Sequence, residues 1–264
     1  KDWLYFTKES FDLLYPSYGD TYPTYNGAIG MTYEQAGHGY AGLGIITEYG
    51  DTLALTDRIA HHFTTGMSTV EMASKNASKL GSEFSKYFDN NINRPEATYK
   101  TYVIKNTNTD KLKGLTDFLN KQMIEYGALK SSRSAKGFSY TTGVNTSFTI
   151  SPSDLILNIY QPTSRLITAL FEPKTKLSDT LTYDITAWAL PYAYGLEAYA
   201  MTEKVSTDKT FEFEKASSNE LSTPYAYISK YNSIEDVKWL SYLLKHGVNV
   251  RVANKELTIE GTKF

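Results

Sequence analysis

The amino-acid sequence predicts an α/β protein in two parts, residues 1–95 and 96–264, and three observations carry that expectation. A period-two run from Gly27 to Gln35 leads into a helix-patterned stretch whose apolar stripe lasts from Ile59 to Phe88. A strand, helix, strand order at Tyr102–Met123 recurs at Tyr227–Val248. Between the two regions, Asp89-Asn90-Asn91-Ile92-Asn93-Arg94-Pro95 is polar, ends in proline and breaks the helical pattern, so the boundary falls near residue 95.

In the run Gly27-Ala28-Ile29-Gly30-Met31-Thr32-Tyr33-Glu34-Gln35, alternation puts Ile29, Met31 and Tyr33 on one face and Ala28, Gly30, Thr32 and Glu34 on the other. A strand here would carry Glu34 at its mouth, on a face otherwise small. The glycines of Ala36-Gly37-His38-Gly39-Tyr40-Ala41-Gly42 let the backbone turn away where a ligand can enter, which suits the carboxyl end of a strand in an α/β sheet. An exposed Glu leading into a loop fits the same residues without any chemistry.

The next element is a helix that Thr56 can cap, with Asp57 in its first turn. Its stripe is Ile59, Phe63, Met67, Val70, Ala73, Ala77, Leu80, Phe84 and Phe88, a spacing of three and four that predicts a core helix packed across the sheet. His61 and His62 lie within it about 100° apart, so they cannot hold one metal from one face and read as one packed and one solvated residue. Arg58 reads as a surface partner near Asp57, and His38 as a polar loop residue.

In the second part, Tyr102-Val103-Ile104-Lys105 and a helix bearing Leu115, Phe118 and Leu119 match Tyr227-Ile228-Ser229-Lys230 and a helix bearing Leu240, Leu243 and Leu244. Each copy reads as a βαβ unit. The first, about 100–205, continues through Gly137-Phe138-Ser139-Tyr140, the strand Leu155–Tyr160, Gln161-Pro162 and a helix from Ser164 to Phe171. The second, about 224–264, lacks that continuation, which makes the 264 residues an expected internal piece of a longer polypeptide. Lys1–Phe6 carries no basic leader before an apolar run, and no later apolar run approaches the ~18 residues a membrane helix needs.

Composition narrows the function classes. With 41% hydrophobic and 14% aromatic residues, a full core is within reach. A net charge of −2 and a pI near 6.1 give no basic footprint for nucleic acid or an anionic membrane, so the expected partners are peptides or other protein domains. The absence of cysteine removes disulfides, thiolate metal sites and a cysteine nucleophile, and suits a periplasmic or extracellular protein. Of the 22 tyrosines, Tyr15, Tyr18, Tyr22, Tyr25 and Tyr40 fall in loops around the expected cleft. There they could stack on a peptide or sugar, or simply sit at half-buried edges.

Two runs carry a resemblance. Tyr15-Pro16-Ser17-Tyr18-Gly19-Asp20-Thr21-Tyr22-Pro23 and Asn26–Gln35 resemble the last third of the catalytic domain of carboxypeptidase A-like zinc metallopeptidases, in particular the large bacterial members with added domains. The resemblance spans roughly residues 1–90. It implies the C-terminal part of a mixed sheet with helices, and a hydrolase that removes C-terminal residues from peptides. In it Glu34 takes the place of the general base, and Tyr15 that of the phenol closing over the substrate, with Tyr18 and Tyr22 as alternatives. The remainder more loosely resembles a class I glutamine amidotransferase-like appendage, whose activity needs a cysteine this chain lacks. Tyr183-Asp184-Ile185-Thr186-Ala187-Trp188-Ala189-Leu190-Pro191 resembles a run of such appendages, with Asp184 read as a helix-start cap.

The family's zinc ligands, a His-x-x-Glu pair and a distant second His, lie upstream of the base. The four histidines here, His38, His61, His62 and His246, include no such pair, so zinc belongs to the upstream part of the polypeptide and no metal ligand is assigned in this chain. Two readings of function result. One is a zinc carboxypeptidase fragment, inactive alone, with Glu34 as base. The other is a non-catalytic module of peptidase-like fold that binds peptide or glycan.

Overall fold

A computed structural model describes residues 15–34, 44–175, 189–214, 225–259 and 261–263. The chain divides into two compact units, one from Lys1–Glu96, Ile159–Ala169 and Lys176–Thr186, the other from Ala97–Asn158, Leu170–Thr175 and Ala187–Phe264.

In the first unit a short 3-10 turn, Tyr22–Asn26, opens with Pro23 in its first turn and closes on Gly27 at φ 80°, a left-handed conformation that glycine adopts without strain. A hairpin of β1 (Ile45–Ile46) and β2 (Thr52–Leu53) precedes α1 (Leu55–Lys75) and α2 (Ala77–Asn93). The expected single helix is thus two. The ladder is interrupted at Asn76 (φ −109°, ψ 18°), whose side-chain amide donates to Met72 O at 2.8 Å and closes the end of α1. Nor does Thr56 cap it. The helix starts at Leu55, two residues earlier than that reading allows, and the Asp57 carboxylate accepts from Ala54 N at 2.9 Å.

The stripe expected to be core is exposed on α1. Ile59, Phe63, Met67 and Val70 lie open, Phe63 at 68%, because no described sheet covers them. On α2 the stripe does pack locally. Phe84 and Phe88 meet edge to face at 5.0 Å and both close on Gly27, where a Cβ would come within 3.1 Å of their rings. Tyr87 donates its hydroxyl to Tyr25 O at 2.8 Å, and Arg165 lies over its ring at 5.6 Å. Buried Asn91 donates to Pro162 O at 2.8 Å.

The second unit is built on a five-stranded sheet in the order β5-β4-β7-β3-β6, every neighbouring pair antiparallel. In chain order its elements are β3 (Thr101–Ile104), α3 (Thr109–Lys121), β4 (Arg133–Ser139), β5 (Asn145–Ile150), β6 (Leu155–Asn158), α5 (Leu190–Ala193) and β7 (Ala198–Met201), while α4 (Ser164–Phe171), between β6 and α5 in the chain, belongs mostly to the first unit. After these come α6 (Ile234–Lys245) and a hairpin of β8 (Thr258–Ile259) and β9 (Thr262–Lys263). The chain is therefore a mixed α/β protein.

Strand β3 is buried on both faces, as its unbroken Tyr102-Val103-Ile104 run requires. Val103 joins Leu129, Ile150, Ile156, Met201 and Val205 in one apolar cluster, with Ala135 and Phe148 against it. Tyr102 instead meets Phe171 at 5.3 Å within a group of rings that includes Tyr99, Phe138, Tyr140 and Tyr192. Thr101 is polar yet wholly buried, and its hydroxyl is satisfied twice, donating to Glu203 O and accepting from Val205 N.

The expected βαβ unit takes a different form. Since β3 and β4 both run opposite to β7, they are parallel to each other, but β7 lies between them. This is a split βαβ arrangement, in which the crossover helix joins parallel strands that do not touch. Of the elements matched to the first copy, the second keeps its helix. Among the described residues Tyr227–Lys230 and residues 248–250, directly after α6, form no ladder, and Tyr227 is exposed. Strand β3 has β6 and β7 on its two edges; residues 227–230 have no such neighbour among the described residues.

The two helices of the repeat do share their ends. Asn108 accepts from Lys111 N at the start of α3, and Ser233 from Asp236 N at the start of α6. Both close with paired reverse hydrogen bonds: Met123 N to Asn120 O and Ile124 N to Leu119 O in one, Gly247 N to Leu244 O and Val248 N to Leu243 O in the other. Helix α3 has 13 residues and α6 has 12, so the repeat loses one residue between its matched caps. The capping box Ser233-x-x-Asp236 was legible in the sequence and marks the start of α6.

Candidate functional site

Residues 28–34 form neither helix nor ladder, so the expected strand is absent from the described fold. Ile29, Met31 and Tyr33, which alternation assigned to one face, are all exposed, and so is Glu34. Alternation by itself sets which side chains share a face; a ladder also requires a neighbouring strand with free backbone groups.

The segment is nevertheless held in place. At Gly30 a Cβ would fall 1.7 Å from Asp20 O, a position no side chain can occupy, so the backbone of residue 30 lies directly against residue 20. Thr32 donates its hydroxyl to the Asp20 carboxylate, and this bond holds the Asp20 carboxyl below its ordinary range. On the other side of Glu34's neighbour, the Tyr33 hydroxyl lies 2.9 Å from Thr69 Oγ1 on α1. These contacts bring the segment before Glu34 against the loop of candidate tyrosines.

That loop is tightly wound. Tyr18 N donates to Tyr15 O at 3.3 Å and Tyr22 N to Tyr18 O at 2.8 Å. The rings of Tyr15 and Tyr18 meet edge to face at 5.4 Å, both half-buried, while Tyr22 is exposed. Chemically, the described residues offer the solvent-facing carboxylate of Glu34, two positions after the Thr32 that binds Asp20, and the paired rings of Tyr15 and Tyr18. Gln35, His38 and Tyr40, like Asp184, lie outside the described residues.

The remaining histidines do not converge. His61 is half-buried and His62 exposed, and His246 places Nδ1 2.8 Å from Tyr242 O at the end of α6. Among the described residues no group of three or more His, Asp or Glu is placed to hold a metal ion. No described helix is long and apolar enough to cross a membrane.

Arg58 corrects its expectation most sharply. It is 8% exposed, makes no ion pair with Asp57, and its Nε and Nη2 atoms are buried without a hydrogen-bond partner. A guanidinium removed from water without a counter-charge costs several kcal/mol. Nothing in the sequence marked it, because a buried and an exposed arginine look alike in a helical pattern.

No protein-family model, curated protein or solved structure significantly matches this chain.

Proposed function

We propose that this chain is the C-terminal part of a carboxypeptidase-like zinc hydrolase followed by an amidotransferase-like α/β appendage, acting on peptides in the periplasm or outside the cell. The observation that carries the reading is the placement of Glu34. It ends the Thr32-Tyr33-Glu34 run, which is pinned to the Tyr15–Tyr22 loop through Asp20 and Thr32, and its side chain is exposed. In this reading Glu34 accepts a proton from the attacking water and returns it to the leaving amine. Tyr15, or Tyr18 or Tyr22 in its place, donates a hydrogen bond to the bound peptide. Zinc, supplied by ligands in the upstream part of the polypeptide, would polarise the scissile carbonyl. The exposed apolar residues Ile29, Met31, Ile59, Phe63, Met67 and Val70 support the same reading, since an upstream part completing the sheet would cover such faces.

The test is Glu34→Gln in the complete polypeptide, with zinc content measured alongside. Hydrolysis of a peptide's C-terminal residue should fall by about 10² to 10⁴ with zinc retained; unchanged hydrolysis removes Glu34 from the role. The isolated 264-residue chain should show no turnover.

A second reading, a non-catalytic peptide- or glycan-binding module, is favoured by the partly open rings of Tyr15, Tyr18, Tyr22 and Tyr33. It predicts saturable binding of a peptide or oligosaccharide by the isolated chain, lost when Tyr22 and Tyr33 are both changed to Ala.

A further inference from the structure

Four buried side-chain polar atoms among the described residues have no hydrogen-bond partner, and three of them belong to one short stretch: Thr47 Oγ1, Arg58 Nε and Arg58 Nη2. Thr47 lies between β1 and β2, and Arg58 one turn into α1, which follows directly. Neighbouring donors and acceptors are used in the ordinary way. Thr47 N donates to Asp51 O at 2.8 Å, Arg58 N to Ala54 O at 3.2 Å, and the Asp57 carboxylate accepts from Ala54 N. The nearest carboxylate in sequence is thus committed elsewhere, and the guanidinium is left unanswered.

The identity of the two unpartnered nitrogens matters. Nε–H and Nη2–H are the parallel donors on one edge of the guanidinium, spaced to take two oxygens of a single carboxylate or phosphate. Buried polar groups in folded proteins are nearly always paired, so an unpaired fork of this shape calls for an oxyanion.

We infer that Arg58 forms a structural oxyanion site, in which the Nε/Nη2 edge binds two oxygens of a small phosphate or carboxylate ion beside the start of α1. The site is independent of the peptidase reading and of Glu34. Binding to the folded chain alone raises stability by mass action whatever the route of entry, so an ion at ten times its dissociation constant raises the folding equilibrium constant about tenfold.

The experiment is thermal and urea unfolding of the full chain with increasing sodium phosphate, and separately sodium acetate, at ionic strength held constant with sodium chloride. Phosphate also stabilises proteins in general by exclusion from their surface, so the readout is the difference between wild type and Arg58→Met. The expected result is a saturable rise in wild type that Arg58→Met lacks. Phosphate rather than acetate effectiveness would assign a tetrahedral ion, and the reverse a carboxylate. If Arg58→Met does not fold, Arg58→Lys keeps the charge without the fork and should lose the saturable rise. An equal response in wild type and variant, or no saturable response to either ion, overturns the site.

Discussion

Replacing the buried Asp154 with alanine should strongly destabilise the second unit. Asp154 sits in the turn between β5 and β6 with 3% of its side chain exposed. Its Oδ2 accepts from Lys105 Nζ at 2.5 Å and from Ser151 N at 2.7 Å, while Lys105 Nζ, on a side chain 18% exposed, also donates to Thr149 O at 3.0 Å. The carboxylate therefore ties the end of β3 to the β5–β6 turn. Removing it leaves an ammonium largely out of water, at a cost of about 3–5 kcal/mol for a broken buried pair. The lower end applies, since Lys105 keeps some solvent and one carbonyl. The orphaned Ser151 N–H adds about 1 kcal/mol, for a total near ~4 kcal/mol. At about 2–4 °C per kcal/mol for a chain of this size, the midpoint should fall by about 8 °C or more. Urea unfolding followed by circular dichroism gives the free energy. Lys105→Met in the same chain should recover part of the loss, with a coupling of at least ~1 kcal/mol. An Asp154→Ala variant within ~1 kcal/mol of wild type, or strict additivity in the double variant, refutes the argument.

Three further outcomes are expected. Met123 occupies the left-handed closing position of α3 at φ 53°, where its counterpart on α6 is Gly247 at φ 71°, so Met123→Gly should raise stability by up to ~1 kcal/mol in urea unfolding. Gly137 faces backbone across β4 and β7, where a Cβ would stand 2.8 Å from Ala200 O, and Gly137→Ala should cost about 1–3 kcal/mol, read in the same assay. Burial pushes the hydroxyls of Tyr102 and Tyr140 well above the ordinary tyrosine range. Unfolded, both lose their protons near pH 10 while the folded chain keeps them, so stability is full below about pH 10 and falls above it by about 1.4 kcal/mol per pH unit for each. Tyr102→Phe and Tyr140→Phe should each flatten that fall. At pH 7, Tyr102→Phe should be neutral or stabilising because its hydroxyl has no partner, whereas Tyr140→Phe should cost about 1 kcal/mol for the bond to Phe171 O.

Local pattern read true where the physics is local. The apolar run of β3, the strand at Leu155, the helix Ser164–Phe171 and the apolar positions of α3 and α6 each follow from side-chain period and short-range propensity, and the structure contains each of them. Gly27, read as the start of a strand, instead closes the 3-10 turn Tyr22–Asn26. The outcome differs wherever a partner elsewhere in the chain decides. Residues 28–34 and 227–230 read as strands, and among the described residues no strand lies beside them and they carry no ladder. The stripe of α1 has the spacing of a core helix, and its exposure depends on what lies opposite it.

By itself, then, the sequence determined the elements whose hydrogen bonds close within a few residues, together with the absence of cysteine chemistry and a net charge of −2. Tertiary structure alone decided that β7 separates β3 from β4, that Thr101 is buried and satisfied, that Arg58 is buried and unpaired, and that Asp20 holds the segment leading to Glu34. The reason is the range of the interactions. Period and capping are set by neighbours along the chain, whereas burial, strand order and charge compensation depend on groups distant in sequence.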